Sequence, residues 1–156
     1  MNLRSRIIFA ALVIALATVS AASAQEKKIK RAQLPPAVEK TVAEQTQGAT
    51  IKGFSTEIEK GKRVYEIAMT VNGHGKDIIV DSKGNVIEIE EEVAMDSLSQ
   101  PVKDGLAKAA GRGTISKIES LTKNGTLVAY EAVVKRGAKH SEIQVGPNGE
   151  KLAHPQ

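Results

Sequence analysis

Cysteine and tryptophan do not occur in this 156-residue chain, and aromatic residues make up only 3% of it. Without cysteine there is no disulfide, thiol nucleophile, iron–sulfur cluster, cysteine-ligated zinc or lipidated N-terminal cysteine. The scarcity of aromatics leaves a core to be built from Val, Ile, Leu and Ala. No glycine loop of the phosphate-cradling kind is present, and no nucleophile, base and orienting group come together in the sequence. An excess of one charge is also missing from the body. Six of the 22 Lys and Arg and one of the 18 Asp and Glu precede Leu34, which leaves 16 basic and 17 acidic residues, a net of −1. A nucleic-acid binder needs a basic face on the folded domain, so nucleic acid is not an expected partner. With 41% hydrophobic and 26% charged residues, the chain as a whole reads as neither disordered nor membrane-embedded.

The N-terminus reads as an address. Arg4 and Arg6 precede a thirteen-residue apolar run at 7–19, broken only by Thr18, and Ala22-Ser23-Ala24 supplies a small-x-small cleavage pattern. The run is shorter than the roughly twenty residues a membrane-spanning helix needs. Residues 1–24 are therefore expected to be a signal peptide. The mature protein is expected in the periplasm or outside the cell, with no stable membrane insertion after cleavage. Residues 25–33, with Lys27, Lys28, Lys30 and Arg31, read as a basic, flexible leader.

From Leu34 onward the chain is one unit written twice. Leu34, Val38 and Val42 correspond to Leu98, Val102 and Leu106 at an offset of 64, as do Thr50-Ile51 to Thr114-Ile115 and Gly61 to Gly125. One inserted residue then moves the offset to 65, which aligns Tyr65-Glu66 with Tyr130-Glu131, Ile78 with Ile143, Val80 with Val145 and Gly84 with Gly149. Ordered matches with a single slip indicate duplication. The units are expected at 34–93 and 98–152, joined by a linker at 94–97 and followed by a loose tail at 153–156.

Each unit opens with a helix, from apolar residues three and four apart and a proline (Pro36, Pro101) suited to the first turn. Strands come next. Ile51/Phe54 and Ile115/Ile118 break strict alternation and predict a bulge or twist near Gly53 and Lys117. Lys60-Gly61 and Asn124-Gly125 predict hairpin turns, and Gly73-His74-Gly75 another. Tyr65, Ile67, Met69 and Val71 alternate on one face, then Ile78 and Val80. The last strand of each unit is expected at 86–92 and near Lys151-Leu152. The expected fold class is α+β: two tandem units, each a helix plus a four-stranded antiparallel meander, forming one extended sheet with both helices on one face.

This order of elements, with Val64-Tyr65-Glu66-Ile67 and Tyr130-Glu131-Ala132-Val133 opening the central strands and Gly84 or Gly149 in the turn before the last, resembles the PepSY-like family. Tandem units of this kind are also similar to the beta-lactamase-inhibitor protein fold. The second copy departs from the pattern in having Gly146-Pro147 where the first has Asp81-Ser82. The resemblance implies exported proteins that bind or restrain peptidases and other hydrolases through a sheet surface, and it implies no catalytic residues.

Candidate sites are few. His74, His140 and His154 lack any ligand spacing and read as surface residues. Glu88, Glu90, Glu91 and Glu92 with Asp96 lack the pattern of a calcium loop, and read as the solvated face of a protected edge strand. No metal, cofactor-binding or catalytic residue is therefore expected. The informative positions lie opposite the core: Val64, Glu66, Ala68 and Thr70, with Ile79 between Asp77 and Asp81, and Ala129, Glu131 and Val133 in the second copy. Such a mixture suits burial against another protein. The candidate partner-binding residues are Glu66, Ile79, Glu131 and Val133. The expected function is an exported, non-enzymatic protein-binding module that inhibits or modulates a peptidase or hydrolase. The alternative is an envelope sensor, or a carrier of a small ligand or metal, that uses a cleft between the copies.

Overall fold

The computed structural model describes residues 26–156, so the signal-peptide expectation for 1–24 lies outside the described residues. In chain order the elements are β1 (Lys27–Ile29), α1 (Pro36–Gln45), β2 (Thr50–Glu59), β3 (Lys62–Val71), β4 (His74–Asp81) and β5 (Val86–Glu92), then α2 (Gln100–Ala110), β6 (Thr114–Lys123), β7 (Thr126–Arg136) and β8 (Lys139–Val145). All eight strands form one antiparallel sheet, and their order in the sheet is their order in the sequence. The architecture is the α+β arrangement read from the sequence.

The local chemistry explains the elements. Val38, Thr41 and Val42 make the buried stripe of α1, and Val102, Leu106 and Ala110 that of α2. Pro36 and Pro101 sit in the first helical turn, where a missing N–H leaves no bond unmade. Lys60-Gly61 and Asn124-Gly125 have positive φ at both residues, the handedness that matches the twist of the flanking strands. The register slips between Ile51 and Gly53 and between Ile115 and Lys117, the same bulge in both copies. The expected turn at Gly73-His74-Gly75 lies one residue earlier. Asn72 and Gly73 carry the positive φ values, and His74 and Gly75 already pair in β4.

Each copy keeps its own core. Val38 and Val42 of α1 pack with Tyr65, Ile67, Met69, Ile78 and Val80. Val102 and Leu106 of α2 pack with Ile118, Ala132 and Val145. These residues share one phase of the sheet, so both helices cover the same side and leave the other bare. The copies are joined where β5 pairs with β6, from Glu88–Lys123 to Glu92–Glu119.

The structure changes three details of the sequence reading. The leader is not loose throughout. Lys27, Lys28 and Ile29 pair with Thr56, Ser55 and Phe54, and Ile29 packs on the first core, an apolar contact that holds the strand. The second copy has no full fourth strand, because only Lys151 bridges to Val145 before the chain turns away. The eighth strand of the sheet is thus β1. Finally, β5 is an interior strand between β4 and β6, so its glutamates do not line an edge.

Candidate protein-binding face

The sheet face turned away from the helices carries the candidate residues. Glu66 on β3 stands directly opposite Ile79 on β4. Glu131 and Val133 lie two apart on β7, opposite Glu119 and Lys117 of β6. All four point to the same side and are part-buried. Ser55 Oγ donates to Glu66 Oε2 at 3.1 Å, and Gln144 Nε2 donates to Glu131 Oε2 at 2.6 Å. Burial raises the pKa of both carboxylates, and these hydrogen bonds oppose the rise.

Between these two groups lies a seam that the sequence reading did not assemble. Glu88 and Glu90 on β5 and Glu119 and Leu121 on β6 share this phase with Asp77 on β4 and Ala129 on β7. Although no helix covers this side, Val64, Leu121 and Ala129 are 3% or less exposed, and Glu88 and Glu119 are also buried. Lys123 Nζ is 3.0 Å from Glu88 Oε2. Lys117 Nζ is 2.6 Å from the buried Glu119 Oε1, an ion pair that places a positive charge beside that oxygen. Glu92 Oε2 accepts the Gly75 N–H at 2.9 Å.

Asp77, Glu90 and Glu119 offer carboxylate oxygens within 4.8 Å of one another. Loss of hydration on burial is the main reason the Glu90 pKa rises to about 7, and the negative charges of Glu119, Glu88, Glu131 and Asp77 add to it. Asp77 is raised in the same way, by burial first and then by Glu119. Among the described residues Lys117 and Lys123 are the cations paired with glutamates of this group, so the seam carries an excess of negative potential whose size depends on pH. It can attract positive charge.

Glu88 and Glu90 are read from the sequence as an edge face, and Glu119 and Leu121 are not singled out there, because β5, by its composition, reads as an edge. The alternation of Ile87 and Ile89 with Glu88, Glu90 and Glu92 is plain in the sequence, but the pairing of β5 with β6 crosses the boundary between the two copies. Two recesses stand out on the surface, and both lie in the second copy. One of about 250 Å³ is lined by Val133, His140, Ser141 and Glu142. The other, about 900 Å³, runs between α2 and β8. Where the alternative reading expected a cleft between the copies, continuous strand pairing joins them.

No family model matches the sequence, and no curated protein matches it. Solved structures do match in shape. A BLIP-like protein from Bacteroides fragilis superposes with a TM-score of 0.54 at 20% identity, covering 74% of this chain and 81% of that one. A DUF2874 family protein from Bacteroides ovatus gives a TM-score of 0.58 at 16% identity, over 76% of this chain and 84% of the other. A protein from Bacteroides eggerthii with a provisional periplasmic description gives 0.61 at 15% identity, over 76% and 85%. At these identities the likeness establishes the fold alone, an α+β sheet of the BLIP-like arrangement.

Proposed function

We propose that the protein is an exported, non-enzymatic binding module that docks another exported protein of cationic surface against the helix-free side of its sheet. The observation that carries this reading is the continuity of that side. Strand pairing across β5 and β6 makes one face from both copies, with the part-buried Asp77, Glu90 and Glu131 set around the part-buried Ile79 and Val133. Apolar side chains provide area that association removes from water, while the acidic groups select the partner's charge and speed encounter. The composition of residues 1–24 supports export, as does the periplasmic description attached to a protein of the same fold. The PepSY-like resemblance supports the finer reading that the partner is a peptidase or other hydrolase held in check.

The test is affinity capture from an envelope fraction with the wild-type protein and with a variant carrying Glu66→Lys, Ile79→Arg, Glu131→Lys and Val133→Arg. The reading predicts a basic-surfaced protein that the wild type retains and the variant releases, and whose hydrolytic activity falls when the wild type is added. Identical capture by both proteins would remove this face from consideration.

A further inference from the structure

The two edges of the sheet are built differently. β1 is three residues long and carries Lys27 and Lys28, both features that discourage another strand from adding to it. β8 is seven residues long and pairs with β7 on one side; on the other, among the described residues, its backbone meets the single Val145–Lys151 bridge, and the Gln144 side chain accepts the Gln156 N–H at 2.8 Å. The duplication shows what its outer side has lost. In the first copy β4 is succeeded by β5, with Lys76 opposite Glu91, Asp77 opposite Glu90, Ile78 opposite Ile89, Ile79 opposite Glu88 and Val80 opposite Val86. The offset of 65 puts Ser141, Glu142, Ile143, Gln144 and Val145 in the places of Lys76 to Val80, and Lys151 in the place of Val86. The second copy therefore begins the equivalent strand at Lys151 and abandons it after one residue.

The place left open is a groove of about 900 Å³ that runs from α2 past the outer edge of β8 and reaches Glu131, Glu142 and Gln144 on the helix-free face. Ala109, Ile143 and Leu152 line its apolar part, and Glu131, Glu142 and Glu150 its acidic part. Glu142 is exposed and has no ion-pair partner among the described residues. Lys108 also lines the groove, from the helix, and Lys151 stands at the end already closed by the bridge.

We infer that β8 accepts an extended segment of a partner protein as a ninth, antiparallel strand, and that this segment alternates apolar with cationic side chains. Its backbone would satisfy the outer edge of 141–144, as β5 satisfies β4. Its residue opposite Ile143 takes the place that Ile89 has in the first copy and points toward α2. Its residues opposite Glu142 and Gln144 lie on the other face, where Glu131 and Glu142 favour Lys or Arg. This inference shares Glu131 with the docking face proposed above but rests on the open edge of β8, which that face does not use.

The probe is a fluorescently labelled heptapeptide of alternating Lys and Val, compared with a proline-interrupted peptide of the same charge and with a Glu/Val version. Anisotropy with the purified protein is expected to show saturable binding of the first peptide only, weakened tenfold or more by Glu142→Lys. Amide hydrogen exchange is expected to slow within 139–145 when that peptide is bound. Glu142 is exposed, so an unchanged unfolding midpoint will show that the variant is folded. Glu66→Lys, on the first copy, is expected to leave peptide binding intact, which separates this inference from the proposed docking face. Equal binding of the proline or Glu/Val peptide, indifference to Glu142→Lys, or unchanged exchange at 139–145 would overturn it. So would a dimer of the protein, dissolved by Glu142→Lys, in which a second copy already fills the edge.

Discussion

Gly105, in the middle of α2, lies so close to Gly149 that a Cβ on it would overlap the Gly149 carbonyl. The first copy solves the same contact with a side chain. Thr41, at the position equivalent to Gly105, donates from Oγ1 to the Gly84 carbonyl at 2.6 Å. In both copies the glycine turn after the third strand, at φ +89° for Gly84 and +80° for Gly149, is seated on the helix. One copy bridges the gap with a hydroxyl, and the other closes it by direct backbone contact.

Gly105→Ala is accordingly expected to destabilise the protein. Alanine favours a helix over glycine by about 1 kcal/mol, but the added methyl meets backbone that cannot swing aside, and overpacking costs about 1–3 kcal/mol. Urea unfolding should show the net loss, and hydrogen exchange should place it in the second copy. A gain in stability would mean that the Gly149 turn yields freely.

The raised pKa of Glu90 makes stability depend on pH. The folded protein holds this proton up to about pH 7, whereas the unfolded chain releases it near 4.5. Its contribution is therefore present in full below pH 4.5 and is lost as pH rises through about 7. Asp77, Glu66 and Glu131 are shifted in the same direction. Glu90→Gln should stabilise the protein at pH 8 by about 1–2 kcal/mol, after allowance for partial solvent screening, and should have little effect at pH 4. Melting temperatures of both proteins across this range are the measurement.

The ion pairs should differ in weight according to burial. Lys123→Ala leaves the buried Glu88 carboxylate without its cation and is expected to cost about 2 kcal/mol. Arg31→Ala breaks a shorter pair, 2.7 Å to Glu39, but one exposed on both sides, and the unfolding midpoint should not move measurably. Chemical denaturation of the two variants side by side decides between burial and distance as the controlling variable.

Ile29 tests whether the first strand contributes to the fold. It is part-buried against the first core, and Ile29→Ala is expected to lower stability by about 1–2 kcal/mol. A flexible leader would show no change in denaturant midpoint.

The fold is legible in the sequence because its signals are local and occur twice. The correspondence of Tyr65 with Tyr130, the Lys60-Gly61 and Asn124-Gly125 turns, and the bulge before Gly53 and Lys117 each state a conformation that nearby chemistry enforces. The side on which Glu66, Ile79, Glu131 and Val133 lie comes from strand alternation alone. What cannot be read depends on contacts between distant segments. Glu90 and Glu119 are 29 positions apart in the numbering and meet only because β5 and β6 pair across the junction of the copies. Lys27 to Ile29 have an ordinary basic composition, and nothing in it announces that Phe54 waits for them. The early end of the last strand is hidden for a similar reason, since Lys151 and Leu152 are as compatible with a strand as with a departure from one.

Because neighbours in the sheet are always neighbours along the chain, no strand has to await a partner made much later. A polypeptide delivered N-terminus first, from a ribosome or through a pore, can zip up hairpin by hairpin as it emerges, with little loop entropy to overcome at each step. The first copy can close its own core before the second has appeared, and then offers β5 as a ready template on which the remainder is laid down.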